Sequence, residues 1–285
     1  MSNTLSRVAI ALAVVGTVGA MAAPIAVAAT PAHPLLSKTQ HRANGALPSQ
    51  HRAAHRDALA VRATPHAPAS ASLAQYAVTP GDQGQVGSCV SWAIDYTAMS
   101  ILENEQGISG HPQAPMYTYA QLARGNDQGS TPSDTFDILT SQGVDTMDHY
   151  WQGNFDYTTQ PDSSEQSNAA NWKLSGYTPI STGSGIKAGV QQAISNGLPV
   201  AISIPVYQSF ERISRSQATD YSYYPTSGDQ YMGGHEITII GYDTNGVRVQ
   251  NSWGTSWGDG GFINLSWSYL SKQVEEANAV GKLVQ

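Results

Sequence analysis

One residue of the chain has the surroundings of a nucleophile. Cys89, the single cysteine, lies in the stretch QGQVGSCVSWA and opens a run in which apolar residues recur at helical spacing. At a helix N-terminus, unpaired backbone N–H groups and the macrodipole favour the reactive thiolate over the thiol. The alternative interpretation is a cysteine buried for packing alone, because free cysteine is among the most buried residue types.

A thiolate that attacks a carbonyl needs a partner that moves protons. Three histidines follow the N-terminal basic part of the chain: His111, His149 and His235. His235 is the best placed, because in GGHEITIIGYD it follows two glycines and opens a strand pattern that would fix its side chain at an edge. A satisfied surface histidine is the alternative for each of the three.

An acid–base histidine also needs an acceptor that orients its second ring nitrogen. Asn251 follows the next strand pattern, in QNSWGTSWGDGGF, and Trp253 and Trp257 can cover a bond between its amide and the imidazole. Gln83 precedes Cys89 across a glycine-bearing turn that can bring its amide towards the sulfur. On these residues alone, a Cys–His–Asn site and a glycine-rich turn with two core tryptophans are equally compatible with the sequence.

Three segments together resemble the papain-like cysteine peptidases, over the chain from about residue 76 to its end. AVTPGDQGQVGSCVSWA is similar to that family's oxyanion-glutamine and nucleophile segment, GGHEITIIGYD to its histidine strand, and NSWGTSWGDGGF to its asparagine motif. The order and spacing agree as well, with 146 residues from Cys89 to His235 and 16 from His235 to Asn251. The resemblance implies a secreted, bacterial-type member of that family.

The resemblance also implies a role for each residue. Cys89 would attack the scissile carbonyl as a thiolate paired with protonated His235, which would then deliver its proton to the leaving amine. Asn251 would hold the imidazole ring, and Trp253 would shield their hydrogen bond. Gln83 and the backbone N–H of Cys89 would form the oxyanion hole.

Substrate binding is implied at a glycine pair of the helical lobe and at the residue before the histidine. Gly129-Ser130 stands at the first position, with Ser in place of one Gly, and Gly234 stands at the second. The chain departs from the family in two further respects: Val90 replaces the bulky aromatic after the nucleophile, and a single cysteine excludes the lobe disulfides. No metal or organic cofactor is implied.

The elements that must position these residues follow from periodicity and from capping and turn residues. Helices are predicted at 89–106, 117–123, 132–141 and 186–196, and strands at 198–206, 236–242, 246–251 and 261–265, followed by a short helical tail. Residues 145–177 predict surface loops. Helices in the first half and strands in the second predict an α+β fold. With the resemblance, this implies a papain-like two-lobed fold, with a helical N-terminal lobe, a β-barrel-like C-terminal lobe and the active-site cleft between them.

Composition divides the N-terminal part of the chain. Arg7, the small apolar residues that follow it and an A-x-A site at 26–28 predict a signal peptide over 1–29, with a membrane anchor as the alternative. Residues 30–75 carry a net charge of +4, whereas residues 76–285 carry −12. This contrast predicts a basic Ala/Pro/His-rich pro-segment or leader at 30–75 and a catalytic domain at 76–285, exported to the extracellular space or the periplasm.

Together these features predict a secreted cysteine peptidase, a hydrolase made as a zymogen, that acts as a monomer on peptide or protein substrates. The opposite charges suggest that residues 30–75 cover the cleft and inhibit the enzyme until they are cleaved; a flexible solvated leader is the alternative. An acidic domain argues against nucleic acid as a partner, and no membrane association is expected once the signal is cleaved. A catalytically silent binding module of the same fold and an acyl transferase using the same residues are the alternative functions.

Overall fold

The computed structural model describes residues 43–51, 67–110 and 112–284, all within one compact unit, His41–Gln285. The predicted signal peptide at 1–29, residues 30–42 and 52–66 of the predicted leader, and His111 lie outside the described residues. Among the described residues, no helix is both long enough and apolar enough to cross a membrane.

Cys89 begins the longest helical stretch of the described chain. This stretch consists of α1 (Cys89–Ser91), a π-helical part (Trp92–Met99) and α2 (Ser100–Gln106), and it ends at Gly107, whose left-handed φ of 70° suits glycine. Prolines at the first helical position open the next two helices, where the missing N–H is tolerated. The further helices are α3 (Pro115–Ala123), α4 (Pro132–Ser141), α5 (Ser163–Ala169), α6 (Ile186–Ser195), α7 (Gln208–Glu211), α8 (Arg215–Thr219) and α9 (Trp267–Gln273).

The second half of the chain supplies most of the sheet. The strands are β1 (Ala71–Ser72), β2 (Lys173–Leu174), β3 (Tyr177–Pro179), β4 (Val200–Tyr207), β5 (Tyr231–Tyr242), β6 (Gly246–Gln250), β7 (Phe262–Ser266), β8 (Glu276–Val280) and β9 (Leu283–Val284). Within the described residues, seven of them form one antiparallel sheet in the order β3-β8-β4-β5-β6-β7, with β1 paired to β5; β2 and β9 form a separate pair. In β4, VAISIPVY is apolar except for Ser203, as expected of a strand that is buried on both faces.

The Cys89 helix is buried on all sides, although its spacing predicts one apolar face. Residues 86–103 are all buried, because α3 packs against one side of the helix and β5 against the other. A hydrogen bond of 2.7 Å from Thr238 Oγ1 to the carbonyl of Ala93 joins β5 to the helix. The elements that carry Cys89 and His235 are therefore held together by a packed interface rather than by loops.

Three stretches differ from the sequence expectations. Residues 145–177, expected as surface loops, contain α5 and β2, and Glu165 is buried there in a capping box with Asp162. The expected helical tail is α9 followed by β8, which lies between β3 and β4; pairing with these strands overrides the low strand propensity of EANAV. β5 begins at Tyr231, so His235 lies within the strand instead of opening it.

The sheet also takes in residues on the N-terminal side of residue 76. Ala71 and Ser72 pair with Tyr242 and Gly241 at the end of β5, and Leu73 is buried beside them. Of the predicted leader, residues 71–73 therefore pack against the sheet, whereas residues 43–51 lie in the cleft described next.

Candidate active site

Cys89 and Gln83 are both completely buried and are joined by a tight turn at the start of α1. Gln83 Nε2 donates to the carbonyl of Val86 at 3.0 Å within that turn. Ser252 holds the other end of the amide, since its hydroxyl donates to Gln83 Oε1 at 2.8 Å. Because Oε1 is occupied in this way, the amide nitrogen is the group that Gln83 offers to the cleft.

His235 and Asn251 form a buried pair. His235 Nε2 lies 2.8 Å from Asn251 Oδ1, and Oδ1 also accepts from the N–H of Ser252 at 2.7 Å. Since Oδ1 can only accept, Nε2 carries the hydrogen of the first bond, which makes Nδ1 the acceptor of the neutral ring. The completely buried Trp253 ring stacks on the imidazole, with the ring centroids 4.5 Å apart and the planes inclined by 25°.

Residues 43–51, which we call the cleft segment, run directly across the nucleophile. The carbonyl of Ala43 accepts from Gln83 Nε2 at 3.1 Å, and the N–H of Gly45 points at Cys89 Sγ from 3.4 Å. Asn44 adds a bond of 3.2 Å from its amide nitrogen to the carbonyl of Met232 on β5. A peptide carbonyl therefore lies against the predicted oxyanion donor, while a peptide N–H faces the sulfur.

The cleft segment also contacts both predicted substrate-binding positions. Ser130 N donates to the carbonyl of Gly45 at 2.8 Å, and Leu47 N donates to the carbonyl of Ser130 at 2.9 Å, so that Ala46 and Ser130 form a parallel β-bridge. The N–H of Ala46 donates to the carbonyl of Gly234 at 3.1 Å. The main-chain groups of Ser130 and Gly234 thus bind a peptide backbone from opposite sides.

Two glycines permit this close approach. A Cβ on Gly45 would lie 1.9 Å from the carbonyl oxygen of Gly87, and a Cβ on Gly129 would lie 2.2 Å from the carbonyl oxygen of Gly45. Gly129 also has a left-handed φ of 86°. The Gly129-Ser130 pair therefore requires glycine at its first position, while its second position accommodates serine.

Farther along, the cleft segment is held by side chains. Ser49 Oγ donates to Glu276 Oε1 at 2.8 Å and accepts from the N–H of Ser133 at 3.2 Å, and His51 Nε2 lies 3.0 Å from Asp137 Oδ2. Within the described residues, His51, Asp134 and Asp137 are also the one set whose ligand atoms lie close enough together to hold a metal ion. The His51–Asp137 ion pair already accounts for this proximity.

The state of the thiol differs from the sequence expectation. Burial raises the pKa of Cys89 to about 12, although N–H donors from Glu236, Gly45 and Val90 act to lower it. The helix N-terminus predicts a thiolate, but the sulfur is shut off from water beneath the cleft segment, and desolvation outweighs the donors. Cys89 is therefore a protonated thiol at neutral pH in this closed arrangement.

Three other residues singled out in the sequence make packing or pairing contacts. Val90 is completely buried in the core, and its backbone N–H faces Cys89. His149 Nδ1 pairs with Asp145 at 2.8 Å. Trp257 packs edge-on against Trp253, and its indole N–H donates to the carbonyl of Phe210.

Several residues of the site carry no recognisable signal in the sequence. Ser252 links the two halves of the site, because its N–H binds Asn251 and its hydroxyl binds Gln83. The contacts of the cleft segment depend on a path through the cleft that no periodicity predicts. Two acidic residues near the nucleophile, Glu236 and Glu276, come together through the register of three strands. The position of Ser252 inside the asparagine motif was the one available hint.

Known proteins that are similar to this chain include cysteine proteases. Residues 68–280 match the sequence profile described as "Papain family cysteine protease". The chain is 31% identical over 210 residues to digestive cysteine proteinase 2 of Homarus americanus, covering 67% of this chain and 58% of the lobster protein. It is 28% identical over 199 residues to cysteine proteinase 2 of Entamoeba histolytica, covering 66% of this chain and 60% of that protein. The chain thus spans about three fifths of the length of these relatives.

Solved structures show the same fold. Xylellain, a cysteine protease from Xylella fastidiosa, superposes with a TM-score of 0.71 at 18% identity, covering 87% of this chain and all of xylellain. Digestive procathepsin L 3 of Tenebrio molitor gives a TM-score of 0.60 at 18% identity, covering 84% of this chain and 76% of that protein. The predicted α+β, papain-like fold is therefore confirmed. With a family match over most of its length, the chain belongs to the papain family of cysteine proteases.

Proposed function

We propose that this chain is a cysteine peptidase that hydrolyses peptide bonds through a thioester on Cys89. The observation that carries the proposal is the path of the cleft segment, whose backbone is hydrogen-bonded by Gln83, Ser130 and Gly234 while it passes the sulfur. A cleft that binds an extended peptide backbone over its nucleophile suits peptide substrates. Membership of the papain family supports the same chemistry.

In the proposed reaction, His235 Nδ1 takes the proton of Cys89 and the sulfur attacks the peptide carbonyl carbon. The resulting oxyanion accepts from Gln83 Nε2 and from the N–H of Cys89, where the loss of one donor typically costs ~10²–10³ in rate. His235 then protonates the amine nitrogen as the C–N bond breaks. Water attacks the thioester, gives its proton to His235 and releases the acid and the thiol. Asn251 keeps the ring oriented, and Trp253 excludes water from their hydrogen bond.

We also propose that the cleft segment keeps the enzyme inactive until it is removed. It buries the thiol, and it runs parallel to Ser130, so that Cys89 faces the N–H of Gly45 instead of a carbonyl carbon. The Tenebrio relative is described as a procathepsin, which is consistent with such a proform. Cleavage within residues 52–66 would release the segment and leave β1 in the sheet. Residues 1–29 would direct the chain out of the cell.

The test uses the full chain, incubated with a reductant because an exposed low-pKa thiolate oxidises readily. Wild-type protein should shorten to a new N-terminus within 52–66 and then hydrolyse peptides, whereas Cys89→Ala should stay intact, stay folded and lose turnover by ~10⁴-fold or more. Ser88→Ala is the matched control, since its buried hydroxyl makes no capping bond.

Three other outcomes would contradict the proposal. Turnover by Cys89→Ala near the wild-type level would refute the nucleophile. A wild-type chain that shortens but is not labelled by iodoacetamide faster than free cysteine, and that cleaves no peptide, would be a silent binding module. Transfer of the acyl group to an added amine in preference to water would make the protein an acyl transferase.

A further inference from the structure

Two glutamates and a serine lie side by side on three neighbouring strands close to the nucleophile. Ser203 on β4 is paired directly with Glu236 on β5 and with Glu276 on β8. Residues directly opposite each other on adjacent strands point to the same face of the sheet, and adjacent strands are about 4.8 Å apart. The two carboxyl groups therefore flank one hydroxyl on one face. We call these three residues the acidic row.

The hydrogen bonds of the acidic row come from neutral groups. Ser203 Oγ donates to Glu236 Oε2, while Glu236 Oε1 is buried and makes no hydrogen bond within the described part of the chain. Glu276 Oε1 accepts from Ser49 Oγ at 2.8 Å and from Asn278 Nδ2 at 2.9 Å. Among the described residues, no lysine, arginine or histidine pairs with either glutamate.

This arrangement lacks the positive charge that two adjacent carboxylates require. Burial and, to a smaller extent, the neighbouring Glu276 raise the pKa of Glu236 well above its usual range, so that the closed arrangement favours its protonated form. A completely buried acid with an unpaired oxygen destabilises the fold unless a partner compensates it. The compensating partner that suits two carboxyl groups and a hydroxyl is a cationic group.

The acidic row also lies where a substrate must pass. Glu236 follows His235 in β5, and its backbone N–H is hydrogen-bonded to the sulfur of Cys89. The cleft segment reaches the row through Ser49, which lies between Glu276 and the first turn of α4. When the segment leaves, Glu276 loses the two donors of Ser49, and the space between the row and α4 opens next to the nucleophile.

The segment residue opposite Ser130 is Ala46, which also lies over Gly234. Glu236 points to the same face of β5, two residues farther along than Gly234. The position opposite Ser130 is therefore next to the row.

One residue, Gly45, bonds Ser130 through its carbonyl and Cys89 Sγ through its N–H, so these two groups are about one residue apart along an extended backbone. A substrate whose chain runs opposite to the cleft segment can offer the carbonyl of one residue to Ser130 N. The carbonyl of its next residue then lies at the sulfur. The substrate residue opposite Ser130 is therefore the one that precedes the acylating residue, whose carbonyl forms the thioester.

We propose that the acidic row is a specificity pocket for a lysine or arginine side chain on the substrate residue that lies opposite Ser130. The proposal rests on the proposed peptidase function. The basic head group replaces the neutral donors of Ser49 and bonds both carboxylates across Ser203, and a guanidinium suits this arrangement because it presents several N–H groups in one plane. The net charge of −12 over residues 76–285 also attracts basic peptides to the cleft.

The test measures how fast self-processed wild-type enzyme cleaves four peptides. They differ solely in the residue that precedes the acylating residue, and that preceding residue is Arg, Lys, Leu or Glu. We expect kcat/KM for Arg and Lys to exceed that for Leu by about tenfold or more, with Glu the poorest. Glu236→Gln and Glu276→Gln should each lower the ratio of Arg to Leu by about tenfold. Glu275→Gln is the matched control, because it removes the same charge from an exposed neighbour of the row.

Labelling of Cys89 by iodoacetamide reports on the catalytic site independently of the pocket. Two outcomes with normal labelling would overturn the pocket and leave the peptidase assignment intact. One is cleavage that favours Leu over Arg, and the other is a ratio of Arg to Leu that is unchanged in both glutamate variants. A preference for Arg that requires added Ca²⁺ would also overturn it, because the row would then hold a metal ion. Failure of the wild-type enzyme to cleave any of the four peptides would overturn both proposals.

Discussion

The two walls of the cleft contribute different chemistry. The helix wall (residues 83–91 and 127–133) offers a thiol, an amide nitrogen and main-chain N–H groups, which are neutral donors arranged around a helix start. The sheet wall (residues 203–206, 233–236 and 251–253) offers an imidazole, an asparagine that orients it and a buried carboxyl group. The groups proposed to bind and attack a carbonyl are thus separated from the groups proposed to handle protons and charge.

This separation explains how the site stays in register without disulfides. Each wall is ordered by its own hydrogen bonds, and the packed interface between the Cys89 helix and β5 aligns the two walls together with specific side-chain contacts. Ser252 is one such contact, since it binds Asn251 on the sheet wall and Gln83 on the helix wall. The bond from Thr238 to Ala93 is another. The cleft segment bonds both walls from outside, through Gln83 and Ser130 on the helix wall and Gly234 on the sheet wall.

The largest effect is expected from replacing His235, the proton-transfer residue proposed for the sheet wall. His235→Gln should lower kcat/KM by ~10⁴-fold, because the thiol loses the group that takes its proton and protonates the leaving amine. The buried amide can still bond Asn251 Oδ1, so the fold should persist. Hydrolysis of a peptide by the variant, processed in trans by a small amount of wild-type enzyme that is then removed, measures the loss, and the thermal unfolding midpoint checks the fold.

His149→Gln is the matched control for that variant, because it removes a half-exposed imidazole paired with Asp145 and away from the cleft. It should change kcat/KM by less than about twofold. If both histidine variants lose kcat/KM to a similar extent, the loss reflects a general change in the protein and not the removal of an imidazole from the sheet wall.

Much of this arrangement could be read from the sequence, because local signals carry it. Gly107 ends the Cys89 helix and Pro132 opens α4 at the predicted positions, since capping depends on neighbouring residues alone. The three motifs that contain Cys89, His235 and Asn251 are short and contiguous. Their side chains could therefore be named before any contact was known.

The rest depends on pairing between distant parts of the chain. β8 was expected as part of a helical tail because EANAV has little strand propensity, and its central position comes from pairing with β4. The acidic row needs the register of Ser203 against two strands, which alternation within one strand does not reveal. The cleft segment ANGALPSQH has no periodic pattern, because the cleft determines its extended path.

A smaller effect is expected from disturbing the segment that bridges the walls. In Gly45→Ala the new Cβ would lie 1.9 Å from the carbonyl oxygen of Gly87, so the segment must move away from Cys89. Steric overlap of this kind typically costs 1–3 kcal/mol, which predicts that the uncleaved chain reacts with iodoacetamide about tenfold faster than wild type. The initial labelling rate, read from the mass of the intact chain, measures the change.

Gly228→Ala is the control for this variant, because a Cβ there meets no atom within 4 Å. It should label at the wild-type rate. If Gly45→Ala labels no faster than Gly228→Ala, the cleft segment does not limit access to the thiol, and its proposed inhibitory role is wrong.

The smallest effect is expected at the outer end of the segment, where His51 pairs with Asp137 on α4. The hydrogen bond to Asp137 is the main cause that raises the pKa of His51 above its ordinary value of 6.5, with smaller contributions from the charges of Asp137 and Asp134. A group whose pKa is raised by docking stabilises the docked form fully below pH 6.5 and loses that contribution as the pH rises through the raised value. The segment should therefore be held more firmly in acid.

Asp137→Asn removes this contribution. Because the pair is exposed, the ratio of labelling rates, variant over wild type, should be no more than a few-fold near pH 5.5 and should approach one near pH 8. Taking a ratio at each pH cancels the titration of the thiol itself. Glu276 also lines the space around His51, but it is present in both proteins and cancels as well.

Asp148→Asn, which changes an exposed aspartate away from the segment, is the control and should give a ratio of one at every pH. A ratio for Asp137→Asn that does not change with pH would mean that the charge on His51 plays no part in holding the two walls closed.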